Sequence, residues 1–348
     1  MAETMKAVRL HEVGQPLRVD EVPRPVPGPG EVLVRVRGCG VGLTVVHTQE
    51  GRTPSAFPMP LPVTLGHEAA GEVAALGPGI ADLEPRQPVV LYFYLVCGQC
   101  RNCMAGRESV CLRHRGYVGR QIDGAYAEYL VLPRQNVIPI APGVDWEAAA
   151  IATDAIATPI HVMRDRAHVR QGDVVVVVGA GGGVGVHCVQ VAKLFGARVI
   201  AVDRGENKLR AATEAGAEAA LDAGKGPWDA EVRRLTEGNG ADAVADFVAS
   251  TETVNLALNA LALSGRIVIL GVDPESILHI PTGQLLRGEV SVIGSRYASR
   301  AEVSEAVELV RRGQVRPVIW ARGGLEDVPR LHALLAGHQV IGRAAITP

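Results

Sequence analysis

The feature that most constrains this 348-residue chain is a mid-chain segment in which an apolar strand runs into a cluster of glycines. Val174–Val178 consists of valine alone, which is typical of a central strand in a parallel sheet covered on both faces. Glycines let the backbone approach a phosphate, and a helix predicted over 186–195 would present N–H groups to it. The segment therefore predicts a dinucleotide-binding site, and its cofactor residues are Gly179, Gly181, Gly182, Gly183, Val184 and Gly185.

A second apolar strand over 199–203 supports this interpretation. It ends in Asp203, about 20 residues after the glycines, where folds of this kind hold the ribose hydroxyls. An acid there repels a 2′-phosphate and so favours NAD over NADP, although neighbouring Arg204 could weaken the preference. The uncharged residues 174–192 could also form a membrane span, but the glycine density and Asp203 argue against one.

Composition excludes several partners. A chain with 47% hydrophobic and 21% charged residues is ordinary for a globular protein with two domains. The net charge of -2, without a long basic run, predicts no binding to nucleic acid or membrane. The first residues contain an acid and lead into no apolar core, so we expect no signal peptide and a cytoplasmic protein acting on a small molecule.

The pattern of elements changes about halfway along the chain. Up to about residue 150, short β-type runs at 32–36, 72–76, 89–92 and 129–132 are broken by glycine and proline, which predicts a compact antiparallel barrel. From about Asp154, strands such as 243–246 and 266–271 alternate with helices, which predicts a doubly wound parallel sheet. A helix over 302–312 and a β-type run at 342–346 follow.

Four of the six cysteines, Cys97, Cys100, Cys103 and Cys111, are spaced so that four thiolates can converge on one tetrahedral ion. A pair of disulfides is the alternative, but it needs an oxidising compartment that nothing in the sequence indicates. Because the protein supplies all four ligands, the spacing predicts one structural zinc.

Several motifs, taken in order, resemble the medium-chain dehydrogenase/reductase family and its zinc-containing alcohol dehydrogenases. They are Gly66-His67-Glu68 with Gly71, the four cysteines, residues 123–129, Asp154 with Thr158-Pro159, the glycine turn and Gly342-Arg343. The resemblance implies an α/β protein with two domains. A GroES-like β-barrel catalytic domain would span 1–153 and 295–348, with the structural-zinc lobe at about 95–113, and a Rossmann cofactor domain would span 154–294. It also implies a homodimer or homotetramer.

The resemblance also implies roles for individual residues. Thr158, Leu270, Gly271 and Val272 would flank the nicotinamide, and Arg343 would reach the cofactor pyrophosphate. Catalytic roles fall on Thr44, His47, His67, Glu68 and Asp154, of which Thr44 and His47 match a proton relay. Tyr94, Phe57 and Met59 are candidates for an apolar substrate pocket.

The catalytic zinc of the family is doubtful in this chain. The family holds it with a cysteine, the histidine of the Gly-His-Glu motif, and a cysteine or aspartate at the start of the cofactor domain. His67 and Asp154 match, but the cysteine position falls on Gly42, which has no side chain to bind metal. Val45 replaces an aspartate on the same loop. His67 and Asp154 could hold a metal weakly with Glu68 or water, or could pair with each other.

Three functions remain open on the sequence alone. The leading one is an NAD-dependent oxidoreductase that interconverts an alcohol and a carbonyl, through a weakened metal site or through Thr44 and His47. The second is a metal-free reductase or dehydrogenase of an α,β-unsaturated carbonyl, such as an enone or an enoyl-CoA thioester. The third is a non-catalytic protein that binds NADH, against which the retention of Thr44, His47 and Asp154 argues.

Overall fold

A computed structural model describes residues 3–53, 56–271 and 276–348. The chain divides into two compact units. Unit 1 runs up to Ala157 and resumes over Ala298–Pro348, and unit 2 is Thr158–Tyr297. The sequence-based domain boundaries, at 153/154 and 294/295, lie a few residues before these divisions.

Unit 1 is built mainly of antiparallel strands. Its strands are β1 (Thr4–Leu10), β2 (Arg18–Pro23), β3 (Glu31–Val41), β4 (Val63–Thr64), β5 (Glu68–Leu76), β6 (Pro88–Leu91), β7 (Tyr129–Pro133), β8 (Val137–Pro139), β15 (Ile319–Gly323) and β16 (Arg343–Ile346). One sheet has the order β2-β1-β4, and the larger has the order β15-β16-β3-β5-β6-β8 with β7 also paired to β3. Only the β15–β16 pairing among these described strands is parallel.

Strand β3 is the centre of the larger sheet because it pairs with β5, β7 and β16. Its residues 32–34 are apolar and buried, Arg35 is exposed, and residues 38–41 are small or apolar and buried. Gly38 and Gly40 lie in this last segment. An added Cβ at Gly38 would come within 2.7 Å of the Trp146 backbone, so glycine is needed for the close approach of α3.

The helices of unit 1 are α1 (Leu43–Gln49), α2 (Arg101–Met104), α3 (Trp146–Ile151), α10 (Arg300–Arg311) and α11 (Val328–Ala336). Helix α10 begins two residues before the predicted start at 302. Its N-cap Ser299 accepts a hydrogen bond from the Glu302 N–H, and the Glu302 carboxylate accepts one from the Ser299 N–H. This capping box satisfies the exposed N–H groups of the first turn and so fixes the start of the helix.

Unit 2 is a doubly wound parallel sheet, as the sequence predicts. Its strands are β9 (Val174–Val178), β10 (Arg198–Asp203), β11 (Ala219–Asp222), β12 (Ala241–Asp246), β13 (Leu261–Ile269) and β14 (Ser291–Gly294), in the order β11-β10-β9-β12-β13-β14 with parallel pairings. This order is that of dinucleotide-binding folds. All five valines of β9 are buried, which confirms the prediction of a central strand.

The helices of unit 2 are α5 (Gly185–Leu194), α6 (Glu206–Glu214), α7 (Asp229–Leu235), α8 (Thr251–Ala260) and α9 (Thr282–Gly288). Helix α5 lies one residue earlier than predicted, because the glycine turn itself supplies its first residue. A further helix, α4 (Ala157–His161), spans the division between the units. Among the described residues, no helix is long and apolar enough to cross a membrane.

Candidate active site

The Gly66-His67-Glu68 motif lies at the start of β5 in unit 1. Gly66 has φ +92°, and an added Cβ would lie 2.9 Å from the Tyr126 backbone nitrogen, so both conformation and space favour glycine here. The turn leads directly into a buried strand. His67 directly precedes β5 and Glu68 is its first residue, and both are buried, with exposures of 7% and 0%.

The Glu68 side chain lies against the small end of β3. Glu68 pairs with Gly40 in the antiparallel register, and an added Cβ at Gly40 would collide with the Glu68 carboxylate. An added Cβ at Gly42 would lie 2.9 Å from Glu68 Oε1. The two glycines therefore make room for a carboxylate that would otherwise not fit in the core.

Arg343, the first residue of β16, places its guanidinium against two carboxylates. Its Nη2 lies 2.9 Å from Asp154 Oδ2 and 3.0 Å from Glu68 Oε1, and its Nε donates to Glu68 Oε2 at 3.3 Å. The residue is 5% exposed. Removing one partner of a buried ion pair typically costs about 3–5 kcal/mol, so these contacts hold the guanidinium in place.

Asp154 reaches this point from a distorted helix. It lies in a π-helical turn, Ala152–Ile156, that directly follows α3 and precedes α4. A π-turn widens the helix locally and is frequent at functional sites. It follows that the Asp154 carboxylate is available to Arg343 although the helix around it is buried.

His67 points its Nε2 at the same two carboxylates without bonding to either. The atom lies 3.7 Å from Asp154 Oδ2 and 3.8 Å from Glu68 Oε1, which is beyond hydrogen-bond range. It is buried and has no hydrogen-bond partner among the described residues. The imidazole packs against the Phe93 ring, with 4.5 Å between centroids and a tilt of 53° between the planes.

Burial and charge oppose each other in this cluster. Burial raises the pKa of Glu68 to about 7, although the neighbouring Arg343 charge opposes the rise. Burial alone would lower the pKa of Arg343, but the carboxylates of Glu68 and Asp154 outweigh it and raise that pKa above its ordinary value. The guanidinium is therefore the permanent cation of the cluster.

These residues do not fit a zinc ion as they stand. His67, Glu68 and Asp154 have ligand atoms within 4.8 Å of one another, as a metal would require. Both carboxylates, however, already bind the guanidinium of Arg343, and Gly42 supplies no fourth ligand. A zinc ion bound to both carboxylates would have to displace a buried arginine or lie beside a second cation.

The structure bears on two interpretations of the sequence. The Arg343 side chain, expected to reach the cofactor pyrophosphate, binds Glu68 and Asp154 within unit 1, and its contact with a cofactor stays a prediction. His67 Nε2 lies 3.7 Å from Asp154 Oδ2, within ion-pair distance but beyond hydrogen-bond range, and Asp154 also bonds to Arg343. Sequence reasoning had no reason to compare Arg343 with Gly42, which lie far apart in the chain.

Thr44 and His47 lie one turn apart on α1, directly after Gly42. Thr44 is exposed and His47 is half-buried, so both side chains can exchange protons with solvent. Burial lowers the pKa of His47, and the Arg52 charge lowers it further. The imidazole is therefore mainly neutral at pH 7 and can accept a proton from a hydroxyl.

An aromatic cluster continues from His67. Phe93 contacts Tyr94 at 4.9 Å, and Tyr94 contacts His114 at 5.2 Å between centroids. Phe57 packs on His114 at 5.4 Å, and Met59 is half-buried on the same loop. The predicted pocket residues Phe57 and Tyr94 thus belong to one run of rings that ends at His67.

The glycine turn of unit 2 has the close approaches that a nucleotide site needs. Gly179 has φ +80°, and an added Cβ at Gly185 would collide with the Gly179 carbonyl. An added Cβ at Gly181 would collide with Lys208 of α6. Gly182, by contrast, has only the Gly179 carbonyl at 3.3 Å near its Cβ position, which leaves its other side open. The residues Gly183 and Val184 complete the turn before α5.

Asp203 ends β10 beside this turn. Its carboxylate accepts hydrogen bonds from the N–H of Gly181 and of Arg204, both at 2.7 Å, and Lys208 Nζ lies 4.0 Å away. The Arg204 side chain is exposed and lies 3.9 Å from Glu252. The arrangement places an acid at the end of the second strand, where a ribose is bound in such folds.

The remaining cofactor candidates are less constrained. Leu270 and Gly271 follow β13, and an added Cβ at Gly271 would lie 2.5 Å from the Val248 carbonyl. Thr158 is buried in α4. Val272 lies outside the described residues.

The four cysteines come together in unit 1 without forming a disulfide. Their Sγ atoms are 3.4 Å apart for Cys100–Cys103, 3.5 Å for Cys97–Cys111, 3.9 Å for Cys100–Cys111 and 4.0 Å for Cys97–Cys103. A tetrahedral zinc with Zn–S bonds of about 2.3 Å requires separations of this size. Backbone N–H groups of Cys103 and Leu112 lower the pKa of Cys100 to about 6, while burial raises that of Cys103 to about 12.

Sequence reasoning missed three residues that shape the surroundings of the candidate sites. Gly40 accommodates Glu68, and Phe93 packs against His67. Asp246, at the end of β12, accepts hydrogen bonds from the N–H groups of Val248 and Ala249. Only Asp246 had a signal in the sequence, an acid that ends an apolar strand. The other two depend on strand register, which the sequence does not reveal.

Comparisons with known proteins agree with this architecture. A family described as "Alcohol dehydrogenase GroES-like domain" matches residues 28–142, and one described as "Zinc-binding dehydrogenase" matches residues 183–312. An NAD-dependent alcohol dehydrogenase from Sulfurisphaera tokodaii is 32% identical over 99% of this chain and 100% of its own length. An acryloyl-coenzyme A reductase from Metallosphaera sedula is 30% identical over 344 residues, which cover 99% of this chain and 100% of its own length.

A solved structure of an NAD-dependent alcohol dehydrogenase superposes with a TM-score of 0.91, at 36% identity, covering 99% of this chain and 100% of the other. The chain belongs to the medium-chain, zinc-type alcohol dehydrogenase-like family, with a GroES-like domain and a Rossmann-like parallel sheet. It is an oxidoreductase of that family, and its relatives support NAD and zinc in general terms. These findings confirm the predicted fold class and family, and they disfavour the hypothesis of a non-catalytic protein.

Proposed function

We propose that this oxidoreductase uses NADH to reduce a conjugated carbonyl, such as an enone or an enoyl thioester, without a catalytic zinc. The observation that carries the proposal is the guanidinium of Arg343, which contacts both carboxylates of the candidate metal site, Glu68 and Asp154. A guanidinium whose charge is matched by carboxylates does not act as an open Lewis acid. The site therefore suits conjugate reduction better than a reaction that needs a zinc-bound alkoxide.

Conjugate reduction suits the remaining groups. NADH, when bound, would supply a hydride for the β-carbon of the substrate, and a proton from solvent would complete the saturated product at the α-carbon. His67 Nε2, buried and without a hydrogen-bond partner, is suited to bind the substrate oxygen as negative charge develops there. The aromatic rings from Phe93 to Phe57 exclude water and suit an apolar acyl chain.

The nucleotide specificity is part of the proposal. Asp203 accepts a hydrogen bond from the glycine turn at Gly181 through Oδ2, and its negative charge opposes a 2′-phosphate, which supports NADH over NADPH. Gly181, Gly182 and Gly185 leave backbone rather than side chains facing the pyrophosphate. We also assign one structural zinc to the four cysteines, because their sulfur separations suit a tetrahedral ion.

Alcohol–carbonyl interconversion is the second candidate, and Thr44 and His47 favour it. They lie on one face of α1, where a hydroxyl can pass a proton to a neutral imidazole and then to solvent. Without a metal, this pair would have to remove the alcohol proton by hydrogen bonding alone.

Enzyme assays with metal chelation separate the two candidates. Protein dialysed against EDTA is assayed for NADH oxidation with crotonyl-CoA and cyclohexenone, and for NAD reduction with ethanol and 2-propanol. We expect turnover of a conjugated substrate that EDTA leaves unchanged, with the saturated product identified by mass spectrometry. Turnover of alcohols alone, abolished by EDTA and restored by zinc, would contradict the proposal.

Thr44→Val is the matched variant for this assay. If the second candidate is correct, loss of the relay hydroxyl lowers alcohol oxidation by about 100-fold. If conjugate reduction is the reaction, the variant changes turnover of crotonyl-CoA by much less, because the proton goes to carbon and not through the relay.

A further inference from the structure

We propose that the guanidinium of Arg343 takes the place of a metal ion in the site formed by His67, Glu68 and Asp154, and that it keeps a divalent metal out of this site. Position 42 is a glycine because the guanidinium occupies the space that a side chain there would need. The site concerned is defined by those three ligands. The inference concerns metal content and steric fit, so it does not depend on which substrate is reduced.

The first step is steric. An added Cβ at Gly42 would lie 2.8 Å from Arg343 Nη1, 2.9 Å from Arg343 Cζ and 2.9 Å from Glu68 Oε1. Real Cβ atoms do not approach other heavy atoms this closely, so one of the groups must move. A cysteine at position 42 and the guanidinium in its present position are therefore mutually exclusive.

The second step concerns what would be left without the guanidinium. His67 Nε2 is buried and unbonded, and it lies 3.7 Å and 3.8 Å from carboxylate oxygens of Asp154 and Glu68. Three nitrogen and oxygen ligands with an open fourth position form a zinc site of the catalytic type. The side chains of such a site are all present, and Arg343 occupies their carboxylates.

The third step is electrostatic. Two buried carboxyl groups facing each other require a cation, because uncompensated charge in the interior is costly. Arg343 meets this need with 5% exposure and contacts to both groups. When it is removed, a divalent ion becomes the available cation for the same carboxylates.

Zinc content of purified variants tests the inference. Wild type, Arg343→Leu and the double variant Arg343→Leu/His67→Ala are equilibrated with zinc, desalted and measured by mass spectrometry of metal per chain. We expect Arg343→Leu to gain about one zinc over wild type, and the double variant to gain none because a ligand is missing. No gain in Arg343→Leu would overturn the inference.

Melting temperatures of Gly42 variants test the steric step separately, because they do not require Arg343→Leu to fold. Gly42→Ala should lower the melting temperature by several degrees, whereas Gly294→Ala, where an added Cβ meets nothing within 4 Å, serves as the matched control. In a background of Arg343→Lys, whose slimmer head group leaves space, the loss should be smaller. An unchanged melting temperature for Gly42→Ala would overturn the steric part of the inference.

The outcomes also separate this inference from the proposed function. If wild type already binds zinc at His67, Arg343→Leu gains nothing, and both the inference and the metal-free reaction fail. If Arg343→Leu gains zinc but no conjugated carbonyl is reduced, the inference stands and the proposed substrate class is wrong.

Discussion

Single residues distinguish the candidate active site of this protein. Gly42 offers no metal ligand, and Arg343 places a permanent charge among His67, Glu68 and Asp154. His67 Nε2 has no hydrogen-bond partner among the described residues. In the function that we propose, this buried nitrogen binds the substrate oxygen, so that the glycine at position 42 goes with a reaction that needs no zinc.

We expect a second single residue, Asp203, to set the preference for NADH over NADPH. Asp203→Asn should weaken NADH binding about tenfold, because hydrogen bonds to a charged group are worth about 1.5–3 kcal/mol, and should weaken NADPH binding much less. Fluorescence titration with both nucleotides measures the effect. Glu218→Gln is the control, since this exposed carboxylate precedes β11 and so lies at the opposite end of the β10–β11 pair from Asp203. Equal losses for NADH and NADPH would contradict the assignment.

At the scale of elements, the helix α1 that carries Thr44 and His47 is held in place by a contact with α11. Helix α11 contributes His332, which is 4% exposed and links two other segments of unit 1. Its Nε2 is 3.1 Å from the Tyr126 hydroxyl, and its Nδ1 is 2.7 Å from Gln49 Oε1 on α1. Because the amide oxygen can only accept, Nδ1 carries the proton and Nε2 accepts from the tyrosine. This bond network ties α1, with Thr44 and His47, to α11.

His332 predicts a loss of stability in mild acid. Burial lowers its pKa to about 4, whereas an unfolded histidine has a pKa of about 6.5. The unfolded chain therefore binds the extra proton first as pH falls, and the free energy of unfolding decreases between about pH 6.5 and 4. Its contribution to this loss is on the order of 3 kcal/mol.

Urea unfolding between pH 7.5 and 4 measures this effect. His332→Asn should unfold more easily than wild type at pH 7.5 and show a shallower decline with acid. His168→Asn replaces an exposed histidine whose φ of +48° asparagine tolerates, and should keep the wild-type profile. Parallel profiles for wild type and His332→Asn would contradict the account.

Particular elements show how far the sequence predicts the structure. The glycine turn, the valine strand and Asp203 follow from local patterns, because strand periodicity and backbone freedom are properties of consecutive residues. The position of Arg343 is not predictable in this way. Its partners Glu68 and Asp154 come from distant parts of the chain. The pairing of β3 with β5 and β16 brings Glu68 near Arg343, and Asp154 comes from the helical turn that follows α3. The sequence reveals the gap at Gly42, but only the fold shows that the guanidinium is beside it.

At the scale of the whole molecule, self-association stays a prediction. Unit 2 ends its sheet at β14, and nearby large apolar side chains are exposed, Leu263 by 79% and Leu286 by 80%. Open strand edges and exposed leucines favour association with a second copy. We expect light scattering to give at least the mass of a dimer, and Leu286→Asp to lower it. Val26→Asp, at a residue 85% exposed in unit 1, is the control. A monomeric wild type would contradict the prediction.

The central claim is our proposal that Arg343, and not a metal ion, is the cation bound by Glu68 and Asp154 beside His67. The most direct measurement is the zinc content of wild-type protein purified without added metal, by mass spectrometry of the native chain. We predict about one zinc per chain, lost in Cys103→Ser, because the four cysteine sulfurs have the separations of a tetrahedral zinc site, whereas Arg343 already binds both carboxylates of the His67–Glu68–Asp154 site. About two zincs per chain, with one retained in Cys103→Ser and lost in His67→Ala, would contradict the claim.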